Sequence, residues 1–262
     1  DCELSRGLGD VYKRQTLEFS IKDKYFFDLI KFFVLLLDIF TALSSLEYYS
    51  FMSDAKIRAA EKALNYLKPK INSKSILGIG TGSTVNCFIE LLRPCPTLVK
   101  GAVSSSEAST KLLRDIGIDV FNLNDVDEIE FYIDGADEIA DDLSLMKGGG
   151  GAHTQEKIIA TASKNFLCIA DQSKIVSKLG SFPIPVEVLS QARSFVARKL
   201  MALGGIAKLR HDFITDQGNE ILDLTGMTID DPISLETKIN SIPGVVDNGI
   251  FGLRKADQIF IG

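Results

Sequence analysis

Short apolar runs and helical periods follow one another along most of the chain. Residues 75–79, 131–133 and 166–170 are apolar runs between polar segments, which predicts buried strands. Residues 57–67 and 84–92 carry apolar side chains every three or four positions, which predicts amphipathic helices. Strands that alternate with helices favour right-handed crossovers. We therefore predict an α/β fold, with a Rossmann-like, mainly parallel sheet and helices on both of its faces.

The pattern changes near Gly180, which predicts a second and smaller α+β domain. The elements predicted there are short strands around residues 206, 213–215 and 221–224, and a helix near residues 235–239. Residues 258–261 have the pattern of a strand that returns to the first sheet. We therefore expect the small domain at residues 180–248, inserted in a catalytic domain of residues 52–179 with 249–262.

Residues 1–51 fit this pattern poorly. Residues 1–15 show no periodicity, and the apolar segment 25–46 contains or adjoins four charged residues that fall on one helical stripe. Such a stripe argues against a membrane-spanning helix. A helix at a membrane surface is one interpretation, and upstream sequence translated by mistake is the other. The second is favoured, so we expect residues 1–51 to be a non-native or disordered or helical leader.

Composition and charge limit the partners of the chain. Of 262 residues, 45% are hydrophobic and 24% are charged, which is enough apolar material for a core. The net charge of −6 argues against nucleic acid as the main partner, because phosphate backbones bind basic surfaces. A small anionic ligand is still compatible with a local positive pocket. The four cysteines show no paired or metal-ligand spacing, which is typical of free thiols in a reducing cytoplasm.

A glycine-rich turn, GIGTGST at residues 78–84, joins a predicted strand to a predicted helix. The N–H groups and the dipole of a helix N-terminus can bind phosphate, and Thr81, Ser83 and Thr84 add hydroxyl donors. A dinucleotide fold has the spacing GxGxxG, whereas the third glycine here, Gly82, comes one residue early. Monophosphate binding is therefore favoured over dinucleotide binding, and a purely structural turn is the alternative.

Three carboxylates follow the predicted strand at residues 131–133. Asp134, Asp137 and Glu138 stand at the carboxyl end of a strand, where ligands bind in open α/β sheets. A strand-to-loop turn with a capping aspartate is the structural alternative. A divalent metal site is a third option, which is disfavoured because no histidine or further acid is suitably spaced.

Lys147 precedes four consecutive glycines, and Glu156 lies on the first turn of the next predicted helix. Each glycine costs about 0.5–1 kcal/mol relative to alanine in regular structure, so close approach of backbone to a ligand explains the run better than a linker does. Glu156 could instead be an ordinary surface residue favoured by the helix dipole. Carboxylates and an ammonium beside bare backbone are what proton transfer on a small anionic substrate requires.

Seven motifs occur in order from about residue 55 to residue 262: GIGTGST, GAVSSSEAS, YIDGADEI, KGGGGAHTQEKI, IADQSK, FPIPVEV and IPGVVDNGIF. Together they resemble ribose-5-phosphate isomerases of the A type. The resemblance implies interconversion of D-ribose 5-phosphate and D-ribulose 5-phosphate in the non-oxidative pentose phosphate pathway. It also implies a cytoplasmic homodimer that uses no metal or organic cofactor and binds neither nucleic acid nor membrane. The family usually continues with a short terminal strand, which we therefore expect this chain to lack.

The resemblance also implies a role for individual residues. Glu156 matches the catalytic base, and Lys147 matches the lysine that stabilises the developing oxyanion. Asp134 and Asp137 match the acids that bind sugar hydroxyls and assist ring opening, while Glu138 receives no role. The other positions expected to bind substrate are Lys56, Thr81, Gly82, Ser83, Thr84, Gly135, Ala136, Gly148, Gly149, Gly150 and Lys174.

Two other functions are compatible with parts of this pattern. A non-catalytic sugar-phosphate sensor would keep the phosphate turn but would not need Lys147 and Glu156, and it would normally carry a pair of DNA-binding helices, which we do not find in the sequence. A dinucleotide-dependent oxidoreductase would need the glycine spacing that Gly82 breaks. An isomerase accounts for more of the motifs than either alternative.

Overall fold

The structure is a computed structural model that describes residues 54–262. The strands in this range are β1 (Ile76–Ile79), β2 (Gly101–Ser104), β3 (Ile129–Asp134), β4 (Glu138–Ala140), β5 (Leu145–Met146), β6 (Ser163–Ala170), β7 (Ile175–Val176), β8 (Ile184–Val188), β9 (Ile206–Leu209), β10 (Glu220–Thr225), β11 (Val245–Asn248), β12 (Ile250–Phe251) and β13 (Gln258–Ile261). The α-helices are α1 (Asp54–Leu67), α2 (Ser83–Leu92), α3 (Glu107–Asp115), α4 (His153–Ala162), α5 (Arg193–Ala202) and α6 (Pro232–Asn240).

Five strands form a parallel sheet in the order β13-β6-β3-β1-β2. Helix α1 packs on β6 and β13, and α4 packs on β3 and β6. The inner strands are nearly continuous apolar runs because a parallel sheet flanked by helices is buried on both faces. The predicted α/β fold and the returning strand at residues 258–261 are confirmed.

An aromatic core fixes β3 to α4. Tyr132 and Phe166 lie on neighbouring strands with ring centroids 5.2 Å apart, and Phe166 lies 6.3 Å from Phe251. Ile159 of α4 packs in the same cluster and is fully buried. Each such side chain contributes about 1.5–3 kcal/mol by leaving water. These contacts fix the position of β3, which ends at Asp134, relative to α4, which carries Glu156.

A second sheet is antiparallel, in the order β11-β8-β10-β9. Its strands pack with α5 and α6 around a separate apolar cluster. All four strands lie between residues 184 and 248 and pair with one another. We therefore keep as a proposal that residues 180–248 form a domain of their own within residues 52–179 and 249–262.

The structure differs from the sequence-based expectations in two places. The strand predicted at residues 213–215 is wrong, because Thr215 instead closes a turn: its N–H donates to Asn219 O, and Gly218 N–H donates to Thr215 O. A third sheet, β12-β5-β4-β7, has strands of two or three residues and was not predicted. Strands this short have too few positions to show a period of two.

The expectations for residues 1–51 lie outside the described residues. Within residues 54–262, no helix is long and apolar enough to cross a membrane.

Candidate active site

A cavity of about 200 Å³ lies where three neighbouring strands of the parallel sheet end. The segments that follow β6, β3 and β1 surround it, together with the glycine run after β5. Every predicted site residue except Asp134 lines this cavity, and Ala170 lines it in addition. The motifs are scattered over more than a hundred residues, and the parallel sheet brings them together because its carboxyl ends share one edge.

One side of the cavity consists of exposed or partly exposed polar groups, Lys56, Ser83, Thr84 and Lys174, which we call the polar mouth. Gly82 caps α2 with φ of 109°, a left-handed conformation that glycine adopts without strain. The free N–H groups of the first turn of α2 stand beside the cavity. Lys56 Nζ donates to Ser83 Oγ at 2.8 Å. Positive charge, hydroxyls and a helix N-terminus suit an anionic group.

The other side is a cluster of buried charges, Asp134, Lys147 and Glu156, which we call the buried charge cluster. Lys147 and Glu156 are 3% exposed and Asp134 is 0% exposed. Lys147 Nζ forms ion pairs with Asp134 Oδ2 at 2.8 Å and with Glu156 Oε2 at 3.2 Å. The same ammonium donates to Gly135 O at 2.6 Å. One ammonium therefore serves two carboxylates.

This arrangement changes the acidity of both partners. Burial raises the pKa of Glu156 to about 8, with Asp134 adding to the effect and Lys147 opposing it. Burial alone would lower the pKa of Lys147, but Asp134 and Glu156 more than reverse this, so that pKa lies above its usual range. Glu156 can therefore gain and lose a proton near neutral pH while Lys147 stays charged. That combination is the one that general acid–base catalysis needs.

The two aspartates of the YIDGADEI motif occupy different surroundings. Asp137 lines the cavity, and its Oδ2 accepts from Gly149 N–H at 2.8 Å. Asp134 lies beneath the cavity wall, where its Oδ1 accepts from Thr81 N–H and Gly135 N–H at 3.1 and 2.7 Å. Its Oδ2 accepts from Tyr132 Oη–H and pairs with Lys147. The family resemblance implies the same role for both aspartates, whereas the structure places only Asp137 on the cavity wall.

Comparison with known proteins agrees with this geometry. The sequence model of the family described as Ribose 5-phosphate isomerase A (phosphoriboisomerase A) matches residues 101–262. The structure of ribose 5-phosphate isomerase A from Neisseria gonorrhoeae is 48% identical, over 78% of this chain and 89% of that chain, with a TM-score of 0.73. This chain belongs to the ribose 5-phosphate isomerase A family.

Two more distant structures give similar agreement with the family. Ribose 5-phosphate isomerase A from Methanocaldococcus jannaschii is 38% identical over 79% of this chain and 96% of that chain, with a TM-score of 0.72. A D-ribose-5-phosphate isomerase in complex with phospho-erythronic acid is 35% identical over 79% of this chain and 96% of that chain, with a TM-score of 0.74. The similarity to isomerases therefore covers about four-fifths of this chain in each case.

Arg210 was not predicted from the sequence as a site residue. It follows β9 of the antiparallel sheet, and its side chain contacts the glycine run after β5. Its Nη1 donates to Gly148 O and Gly149 O at 3.1 and 3.2 Å. The rest of the guanidinium pairs with Asp223 through two hydrogen bonds of 2.9 and 2.6 Å. Nothing local in the sequence marks Arg210, since its contacts depend on how the sheet packs against the glycine run.

Glu138 and His153 are buried in the fold and do not line the cavity. Glu138 accepts from the backbone N–H groups of Gly180 and Phe182 at 2.7 and 2.6 Å, which fixes the start of the chain that leads to β8. His153 is fully buried against Gly148, and burial lowers its pKa to about 4. Within residues 54–262, no group of three or more His, Cys, Asp or Glu side chains is arranged to hold a metal ion.

Proposed function

We propose that this chain interconverts D-ribose 5-phosphate and D-ribulose 5-phosphate as an aldose–ketose isomerase. The observation that carries the proposal is the buried ammonium of Lys147, 3.2 Å from the carboxylate of Glu156, at a cavity whose mouth suits a phosphate. Membership of the ribose 5-phosphate isomerase A family supports it. So does the similar isomerase structure that contains phospho-erythronic acid, a phosphorylated sugar acid.

The buried charge cluster supplies the groups for an enediolate mechanism. As a carboxylate, Glu156 removes the proton from C2 of the open-chain aldose, and the C–H electrons form a C1–C2 double bond. The carbonyl electrons move to O1, where the ammonium of Lys147 stabilises the negative charge. Glu156 then returns the proton to C1 while the proton of O2 passes to O1, so that C1 becomes a CH₂OH group and C2 becomes the carbonyl. The two sugars are isomers, so the electrons balance without an external oxidant or reductant.

The rest of the cavity binds and orients the substrate in this proposal. Ser83, Thr84, Lys56 and Lys174 would hold the phosphate, which places the reacting carbons near Glu156 by binding energy from a remote group. Asp137 and the backbone of the glycine run would bind sugar hydroxyls. Carboxylates recognise hydroxyl hydrogens and backbone N–H groups recognise oxygens, so this wall offers both kinds of partner.

We also propose that the enzyme works in the cytoplasm, in the non-oxidative pentose phosphate pathway, and as a homodimer. Cys87, Cys95 and Cys168 are free thiols, which supports a reducing compartment. The dimer is supported by the family resemblance. Light scattering on the purified full chain would measure its mass, and a monomer at working concentration would refute the dimer.

The direct test is to incubate the full chain with ribose 5-phosphate in D₂O and follow the products by NMR. We expect ribulose 5-phosphate to form and to carry deuterium at C1, because the proton on Glu156 exchanges with solvent in some turnovers. A sugar-phosphate sensor would bind ribose 5-phosphate without converting it. An oxidoreductase would convert the substrate only when a nicotinamide dinucleotide is added. Binding without conversion, or conversion only with the dinucleotide, would contradict the proposal that this chain is an isomerase.

A further inference from the structure

Two of the seven motifs, FPIPVEV (residues 182–188) and IPGVVDNGIF (residues 242–251), contribute no described residue to the wall of the cavity. The first contains β8 and the second contains β11, and these two strands pair in the antiparallel sheet. All five residues of β8 are buried, and one of them, Glu187, is a carboxylate that is 0% exposed. A carboxylate in the middle of a buried strand is costly unless it is well partnered, so the partners of Glu187 indicate what it does.

The carboxylate of Glu187 joins two separate segments of the chain. Its Oε2 accepts from Thr154 Oγ1–H in the first turn of α4. Its Oε1 accepts from Thr215 Oγ1–H and from Asn219 Nδ2–H, each at 2.8 Å, in the turn before β10. Thr154 and Thr215 are 7% and 4% exposed, so water has little access to these hydrogen bonds. Glu187 therefore connects α4 to the antiparallel sheet.

Thr154 lies two residues before Glu156, in the same helical turn. The N-cap residue of α4, Ala152, makes no side-chain hydrogen bond to this turn, so tertiary contacts must hold it. Two residues apart on a helix are separated by about 200° around its axis, so Thr154 and Glu156 point to nearly opposite sides. Glu187 holds one side of the turn, and Lys147 lies 3.2 Å from Glu156 on the other. A rotation of the turn would change that distance.

Strand β8 also reaches the lysine that pairs with the proposed base. Pro185 O in β8 accepts from Gly249 N–H at 2.8 Å, and Gly249 O accepts from Lys147 N–H at 2.9 Å. A β-carbon added at Gly249 would come within 2.2 Å of Lys147 O and 2.6 Å of Pro185 Cδ, so this close approach requires glycine. One strand therefore holds the backbone of the lysine and the helical turn of the base.

From these contacts we propose that Glu187 is a positioning residue for the isomerase reaction. Through Thr154 it sets the rotation of the first turn of α4, and thereby the distance from Glu156 to the reacting carbons. The inference rests on the proposed isomerase function. Glu187 does not line the cavity, so it acts on the reaction only through Thr154. The antiparallel sheet then contributes to proton transfer as well as to folding.

The decisive variant is Thr154→Val in the full chain, which removes the hydroxyl and keeps the shape of the side chain. We expect kcat with ribose 5-phosphate to fall about 10-fold, because a small misplacement of a catalytic group is costly. The inhibition constant of inorganic phosphate should stay the same, since the polar mouth does not depend on α4. Thr154→Ser keeps a hydroxyl donor and should keep kcat within about 2-fold of the wild type. An unchanged kcat in Thr154→Val, or phosphate inhibition that weakens as much as kcat falls, would overturn the inference.

Ser163→Ala is the matched control for loss of a buried hydroxyl. Ser163 Oγ donates to Ile159 O at 2.7 Å at the other end of the same helix. We expect this variant to lose thermal stability, as Thr154→Val does, and to keep wild-type kcat. An equal fall of kcat in the two variants would show that any loosening of α4 has this effect, and it would refute the specific role of Glu187.

Glu187→Gln keeps the inference testable if Thr154→Val folds poorly. The amide retains one oxygen for Thr215 and Asn219 and presents an NH₂ group to Thr154, which weakens that hydrogen bond. We expect kcat to fall about 3- to 10-fold with KM unchanged, and an unchanged kcat would contradict the inference. In the double variant kcat should fall no further than in the more affected single variant, because both changes act on one hydrogen bond, whereas falls that multiply would contradict it. Absence of conversion by the wild type would refute the isomerase itself, which is a different result from any of these.

Discussion

In the proposed function, the polar mouth and the buried charge cluster bind the two ends of one substrate, yet their residues differ in exposure and in charge pairing. In the mouth, Lys56, Ser83, Thr84 and Lys174 are partly or fully exposed. In the cluster, Asp134, Lys147 and Glu156 are at most 3% exposed and lie within 3.2 Å of a charged partner. Charges in water are screened and act almost independently, whereas buried charges change one another's pKa.

This difference predicts different kinetic behaviour for the two groups. Changes in the buried charge cluster should alter kcat and the pH profile, because in the proposed mechanism those residues set the barrier to proton transfer. Changes in the polar mouth should alter KM, because those residues supply binding that is similar for substrate and transition state. Single substitutions in the two groups, and in the sheet that contacts the glycine run, test this contrast.

Glu156→Gln removes the proposed base and keeps its size. We expect kcat to fall by at least about 10²–10⁴-fold, the usual contribution of a positioned acid–base group. Binding of a phosphorylated sugar acid, measured by calorimetry, should be retained because the polar mouth is intact. Glu107→Gln, also a first-turn glutamate, is the matched control and should keep wild-type turnover. Near-wild-type conversion by Glu156→Gln would remove Glu156 from the mechanism.

Lys147→Met removes the positive charge between the two carboxylates. We expect kcat to fall about 10²–10³-fold, since the negative charge on O1 loses its main partner. Lys157→Met is a suitable control, because Lys157 is a partly buried lysine that also lies between two carboxylates, Glu236 and Asp247, each at 2.9 Å. Both variants should lose thermal stability, and only Lys147→Met should lose turnover. Equal loss of kcat in the two would show that the effect is structural.

Arg210→Lys tests whether the antiparallel sheet positions the glycine run. Lysine keeps the charge but cannot pair with Asp223 and donate to Gly148 O and Gly149 O at the same time. We expect kcat to fall about 10-fold. Arg193→Lys, which alters the pair with Glu220 on the same sheet, should leave kcat unchanged. If the two variants behave alike, the contact of Arg210 with the glycine run has no catalytic importance.

Lys174→Ala should have the smallest effect, confined to KM. A partly exposed charge contributes about 0.2–1 kcal/mol, so KM is expected to rise about 1.4- to 5-fold with kcat nearly unchanged. The rise should shrink as salt is added, because salt screens exposed charges. Lys178→Ala, which removes an exposed lysine paired with Asp230, is the control and should not change KM. A large fall in kcat for Lys174→Ala would contradict the predicted difference between the polar mouth and the buried charge cluster.

The sequence predicts the long elements and the cavity wall, and it fails where structure depends on distant contacts. β3 and β6 have six and eight residues of mostly buried chain, enough to show their character, whereas β5, β7 and β12 have two residues each. The wall of the cavity is predictable because each motif follows a strand. The burial of Asp134 is not, because it depends on Gly80 and Tyr132, and Arg210 is not, because its contacts cross between sheets.

The most direct test of the account is the pH dependence of kcat/KM for the wild type, Lys147→Met and Lys174→Ala. In the proposed mechanism the carboxylate of Glu156 is the base, and it forms only above its pKa, so wild-type activity should rise with pH through about 8. Because Lys147 lowers that pKa, its removal should move the rise to higher pH, and Lys174→Ala should leave it in place. A rise at the same pH in all three proteins, or an equal shift in both variants, would contradict the account.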